Sequence, residues 1–68
     1  MTIEVLLEDG PRTLPAGSTV ADLIAALALP TQRTTVAVDG CHVPRAQWLS
    51  HRLGDGQRVL FFQPIVGG

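Results

Sequence analysis

The chain of 68 residues contains no lysine, no tyrosine and a single cysteine, Cys41. Each shortage excludes something. One cysteine cannot close an internal disulfide, and with only His42 and His51 beside it no zinc set forms at a recognised spacing. A domain this short buries only about 60% of its unfolded surface, so its stability must come from apolar packing. The 46% hydrophobic content makes that feasible. The five basic residues are all arginines, at 12, 33, 45, 52 and 58. They are scattered through a chain of net charge −1, which argues against a phosphate-backbone surface and so against nucleic acid as a partner. No apolar run approaches the length of a membrane span. Met1-Thr2-Ile3-Glu4-Val5 has no basic segment followed by an apolar one, so no secretory signal is expected. The expected location is the cytoplasm, with the unpaired cysteine suited to a reducing compartment. Without lysine, the amine at Met1 is the only one in these residues, a consequence that matters for any acyl chemistry at the other end.

Along the chain, Ile3, Val5 and Leu7 alternate with Glu4, Leu6 and Glu8, the period of a half-buried strand. Glu8-Asp9-Gly10-Pro11 is turn chemistry. Arg12 to Pro15 reads as a short returning strand, on an edge because of its proline. Thr19 and Asp22 form a variant capping box, followed by Val20, Leu23, Ile24 and Leu27 on one stripe. A helix is expected over about 19–29, stopped by Pro30. Thr35 to Val38, the Asp39-Gly40 turn and Cys41 to Val43 form a second hairpin. A helical turn is expected over Arg45 to Leu49, starting directly after Pro44; Ser50 to Leu53 has no clear pattern. Gly54-Asp55-Gly56 is a further turn, and Val59 to Gln63 has strand composition.

One helix with one apolar stripe needs one sheet face to bury it. The expected class is α+β, a mixed sheet of four or five strands over one main helix, with the last strand placed centrally beside the first. Within that last strand Val59 and Phe61 point to one face and Leu60 and Phe62 to the other. Val59 and Phe61 are assigned to the core. Leu60 and Phe62, with Leu6, are expected to form an apolar patch of the kind that marks partner surfaces.

Pro64 has no N–H for a ladder, so the sheet is expected to release the chain there. Ile65, Val66, Gly67 and Gly68 follow. The division expected is a domain over 1–63 and a tail over 64–68, disordered from Ile65 onward. Two glycines carry no Cβ and can thread a narrow slot, which makes the Gly68 carboxylate the candidate working group. The competing reading is an ordinary frayed end. Other residues offer less. Ser50 and His51 lack a carboxylate partner for nucleophilic catalysis; Cys41 is expected to be packed or incidental, and Trp48 a packing anchor. No catalytic residue and no metal ligand is expected.

The pattern with its terminal Gly-Gly resembles the ubiquitin-like β-grasp sulfur carriers, and among them the ThiS family of thiamine (thiazole) biosynthesis. The resemblance is carried by Thr19-Val20-Ala21-Asp22-Leu23-Ile24, by Val43-Pro44-Arg45-Ala46-Gln47-Trp48, by Asp55-Gly56, and by Val59-Leu60-Phe61-Phe62-Gln63 running to Val66-Gly67-Gly68. Gln57 departs from it, standing where an acidic residue is common, and Glu8-Asp9 replaces the usual asparagine turn. The resemblance implies a carrier and not an enzyme. A ThiF-type adenylating enzyme would activate Gly68 with MgATP, a sulfur donor such as a cysteine desulfurase would convert it to a thiocarboxylate, and a ThiG-type thiazole synthase would accept the sulfur. No cofactor would be bound by this chain. Leu60, Phe62, Ile65 and Val66 would meet the partners. The alternatives are the small subunit of molybdopterin synthase, a ubiquitin-like protein modifier, or a passive interaction module of the same fold.

Overall fold

The computed structural model describes residues 1–62. The expected strand residue Gln63, the tail over 64–68 and the expected disorder from Ile65 lie outside them. Strands β1 (Thr2–Leu7) and β2 (Gly10–Pro15) form an antiparallel hairpin, paired from Thr2–Pro15 to Leu7–Gly10. The second strand is longer than expected at its start, because Glu8 and Asp9 alone make the turn. Neither has positive φ, and Gly10 takes it instead, at 130°. Helix α1 (Val20–Leu27) follows, then β3 (Thr35–Val38), β4 (Cys41–Val43), a 3-10 turn over Arg45–Gln47, and β5 (Val59–Phe62).

The strands form two antiparallel sheets, β1-β2 and β4-β3-β5, and not one continuous mixed sheet. They are stitched together where β1 runs parallel to the segment entering β5. Leu6 pairs with Arg58 there; the Leu6 N–H donates to the Gln57 carbonyl at 2.8 Å and the Gly56 N–H to the Glu4 carbonyl at 2.7 Å. The last strand does lie beside the first, as expected. The full ladder between them is missing because the Asp55-Gly56 turn occupies the length over which β1 could pair.

The first turn of α1 is satisfied from two directions. Thr19 and Asp22 make the reciprocal capping box, Asp22 N–H to Thr19 Oγ1 at 3.2 Å and Thr19 N–H to Asp22 Oδ2 at 2.9 Å. Val20 and Ala21 donate instead to the carbonyls of His51 and Trp48. The stretch from Ser50 to Leu53, patternless in sequence, is thus the wall against which the helix starts. Trp48 fixes that wall: it is buried, and its indole N–H donates to the Val43 carbonyl at 3.0 Å. The 3-10 turn starts directly after Pro44, which occupies its cap position, and ends at Gln47, short of the expected Leu49.

At its other end α1 stops short of Pro30. Ala28 adopts φ 55° and ψ 37°, and Ala28 and Leu29 donate to the carbonyls of Ala25 and Ile24. This is the paired bonding of a Schellman cap, with alanine where glycine is usual. The core beneath the helix collects Val5, Leu14, Val20, Leu23, Ile24, Val36, Val38, Val43, Trp48, Leu53 and Val59. Because an alanine in the left-handed region costs about 1–2 kcal/mol, and a glycine loses about 0.5–1 kcal/mol more backbone entropy on folding, Ala28→Gly should be net stabilising. The expected outcome is a higher urea midpoint at unchanged slope, by up to about 1 kcal/mol; a lower midpoint would contradict this account of the helix stop.

Candidate functional site

The site is built around the end of β5. Its register against β3 pairs Val59 with Val38, Leu60 with Ala37, Phe61 with Val36 and Phe62 with Thr35. Val36 and Val38 are core residues, so pairing fixes the parity of the neighbouring strand. Val59 is fully buried and Phe61 half-buried against the core. Leu60 and Phe62 face the opposite side of the sheet, Leu60 half-buried and Phe62 53% exposed. Leu6, 37% exposed, joins that face from β1.

Leu6 and Leu60 line one shallow groove, together with Pro11 from β2 and Arg58 at the entry to β5. Phe62 lies one step further along β5 and outside the groove. The patch expected from Leu6, Leu60 and Phe62 is therefore an apolar strip running along β5 toward the point where the described chain ends. Pro11 and Arg58 were not readable as part of it. Pro11 looks like a turn residue, and both reach the strip only through their pairing with Leu6. Gly68, Gly67, Ile65 and Val66 lie outside the described residues.

Side-chain bonds to backbone set where β5 begins. Asp39 and Gly40 both have positive φ, 51° and 82°, the type I′ turn of a tight hairpin. This aims the Asp39 carboxylate at the incoming strand: Oδ1 accepts from the Arg58 N–H at 2.9 Å and Oδ2 from the Gln57 side-chain amide at 3.3 Å. In return the Asp39 N–H donates to the Arg58 carbonyl at 2.8 Å. Gln57 Oε1 accepts from the Gly54 N–H at 2.7 Å, and Asp55 Oδ1 from the Glu4 N–H at 2.8 Å. Gln57, the departure from the usual acidic residue, uses both ends of its amide, one as donor and one as acceptor. A carboxylate there keeps only the acceptor.

The remaining candidates are not assembled into chemistry. Ser50 Oγ donates to the Gln47 carbonyl at 3.2 Å, closing its own turn. Cys41 is exposed at the start of β4 rather than packed, and His42 is exposed on the same strand. Among the described residues no helix is long and apolar enough to cross a membrane.

A helix held against the strands in this order defines the ubiquitin-like β-grasp class. The protein resembles an archaeal ubiquitin from Caldiarchaeum subterraneum at a TM-score of 0.53 and 22% identity, covering 100% of this chain and 98% of that one. It resembles a thiamine biosynthesis protein (ThiS) from Geobacter metallireducens more closely in fold, with a TM-score of 0.80 at 23% identity over 97% of this chain and all of the other. At the level of sequence, the ThiS family model matches residues 5–68. The chain is also 35% identical to the sulfur carrier protein ThiS of Escherichia coli over 66 residues, 97% of this chain and all of the relative. The chain belongs to the ThiS family.

The bonds that position β5 give a testable consequence. Gln57→Glu should cost about 1 kcal/mol at neutral pH, since it loses the donor to Asp39 and sets two carboxylates side by side. The introduced carboxyl then has a folded pKa above its unfolded value of about 4.3. The penalty is full above that folded pKa and disappears below the unfolded one. Urea midpoints of the variant and the parent should therefore converge as the pH falls toward 4; a gap independent of pH would show that the amide is not acting through Asp39.

Proposed function

We propose that the chain is a sulfur carrier of thiamine biosynthesis, whose C-terminal Gly68 carboxylate is adenylated and then converted to a thiocarboxylate. The observation that carries this reading is β5. In a chain of the ThiS family it is pinned on both flanks, leaves an apolar strip open on its outer face, and leads within six residues to Gly67-Gly68. On this reading residues 1–63 are the platform and 64–68 the working tail.

The chemistry requires little of the chain itself. A carboxylate is a poor acyl donor, and an adenylating partner of the ThiF type supplies the leaving group: the Gly68 oxygen attacks the α-phosphate of MgATP and pyrophosphate departs. The terminal sulfur of a donor persulfide then attacks the acyl carbon and displaces AMP. A thiol reduces the resulting disulfide link and releases the thiocarboxylate. A thiazole synthase of the ThiG type consumes that sulfur. Nucleotide and metal stay with the partner, so this chain binds no cofactor of its own, and the cycle runs in the cytoplasm. Gly67 and Gly68 allow close approach of the reacting carbon to a partner's site. Leu60 and Phe62, followed by Ile65 and Val66, supply apolar contact area along the way in.

The test is the intact mass of the protein after incubation with an adenylating enzyme of this type, MgATP and a persulfide donor. The expected product carries one sulfur in place of one oxygen and is absent when Gly68 is deleted. With the enzyme shown active on another carrier, an unchanged mass would contradict the proposal. Leu60→Asp together with Phe62→Asp should reduce the yield of the same product, with little loss of stability at the exposed Phe62 position.

A further inference from the structure

The chain's lack of lysine acquires a meaning once the fold fixes where its remaining nucleophiles lie. An activated acyl group beside a surface lysine is lost to an amide, which neither a thiol nor a sulfide reverses under mild conditions. Here no lysine exists to do that. The amine at Met1 belongs to the far end of the molecule. β1 runs parallel to the entry of β5 with Leu6 level with Arg58, so Met1 and Phe62 are at opposite ends, roughly 30 Å apart along the strand axis at about 3.3 Å per residue. The Met1 carbonyl accepts from the Ala16 N–H at 3.0 Å, which holds that end against β2. Six residues beyond Phe62 reach at most about 22 Å even fully extended. Cys41 sits level with the start of β5, through Val38, which pairs with both Cys41 and Val59. A thioester formed on it still exchanges with an external thiol.

We propose that the absence of lysine, together with the parallel placement of β1 and β5, leaves an activated Gly68 no internal amine within reach, so that its acyl group persists until an external sulfur nucleophile takes it. This rests on the carrier reading above, in which Gly68 is activated. It goes further by making resistance to self-acylation a property of this chain and not of a partner that shields it. In the reaction avoided, an amine attacks the acyl carbon, the leaving group departs, and the amine loses a proton to give an amide one water lighter than the free acid.

The test bypasses the adenylating enzyme. The full chain is prepared with Gly68 as an α-thioester by intein cleavage with a small thiol, alongside the variant Arg33→Lys. Arg33 is exposed and lies two residues before Thr35, the partner of Phe62, so it is near the point where the described chain ends. Both are held at mildly alkaline pH, treated with hydroxylamine to cleave any thioester or ester, and weighed intact. The parent should give only free acid and hydroxamate. Arg33→Lys should give a hydroxylamine-resistant species one water lighter than the acid, or the corresponding covalent dimer. Added hydrosulfide should convert the parent thioester to thiocarboxylate. A resistant dehydrated species or dimer from the parent would overturn the proposal, as would its absence from Arg33→Lys. Failure of enzymatic adenylation in the preceding experiment bears only on the carrier reading, because activation here is chemical.

Discussion

Everything in this small fold depends on β5 being held from both sides. Along one flank it pairs with β3; on the other, the residues entering it bond to β1 through Leu6 and Glu4. Since strand side chains alternate with a period of two, a shift of one residue in that pairing would turn Leu60 and Phe62 inward and put Val59 and Phe61 in water. The cost falls on the core, because Val59 is among its fully buried residues. Burying a side chain of this kind is worth roughly 1.5–3 kcal/mol, a large fraction of the stability of so small a domain. The outer strip is therefore fixed by what happens underneath it. The Asp39 carboxylate adds a local stop by taking the Arg58 N–H at the point where the strand begins.

Much of this was legible in the sequence because the decisive signals are local. Alternation in Ile3 to Leu7, the stripe Val20-Leu23-Ile24-Leu27, the Thr19–Asp22 box and the Asp39-Gly40 turn each encode one element with its own chemistry. Parity in β5 followed from the strand period alone. What was not legible depends on distant partners. Ala28 carries no sequence mark of a helix stop, since alanine is the best helix former; its left-handed conformation is imposed by the Schellman bonds and by Leu29 joining the core. Ser50 to Leu53 shows no periodicity because it meets the helix start largely through backbone groups, the His51 carbonyl and the Leu53 N–H, which have no residue code, with Leu53 its one buried side chain. Likewise the split into two antiparallel sheets depends on how far the Asp55-Gly56 turn intrudes beside β1. Pro11 and Arg58 belong to the outer groove only through their register with Leu6.

Membership of the ThiS family and the geometry of β5 converge on one division of labour. On the proposed reading the chain contributes a platform, an apolar strip and a carboxylate on a glycine pair, and leaves chemistry that needs nucleotide, metal or reductant to partners. Its Trp48 wall, its helix cap and its Asp39 hub all concern rigidity. Pre-organised contact area binds at a smaller ordering cost, which suits the proposed transfer from one enzyme to another. The lack of lysine fits the same proposal, because a carrier is useful only while its acyl group is neither hydrolysed nor trapped.

The central claim is that partners read the outer face of β5. The most direct measurement is backbone amide chemical-shift mapping of the isotope-labelled protein titrated with the unlabelled adenylating enzyme. The account predicts that perturbation concentrates on Leu6, Pro11-flanking residues of β2, Leu60 and Phe62, while the exposed helix face at Ala25 and Ala26 stays unchanged. Perturbation centred on that helix face, with Leu60 and Phe62 silent, would contradict it.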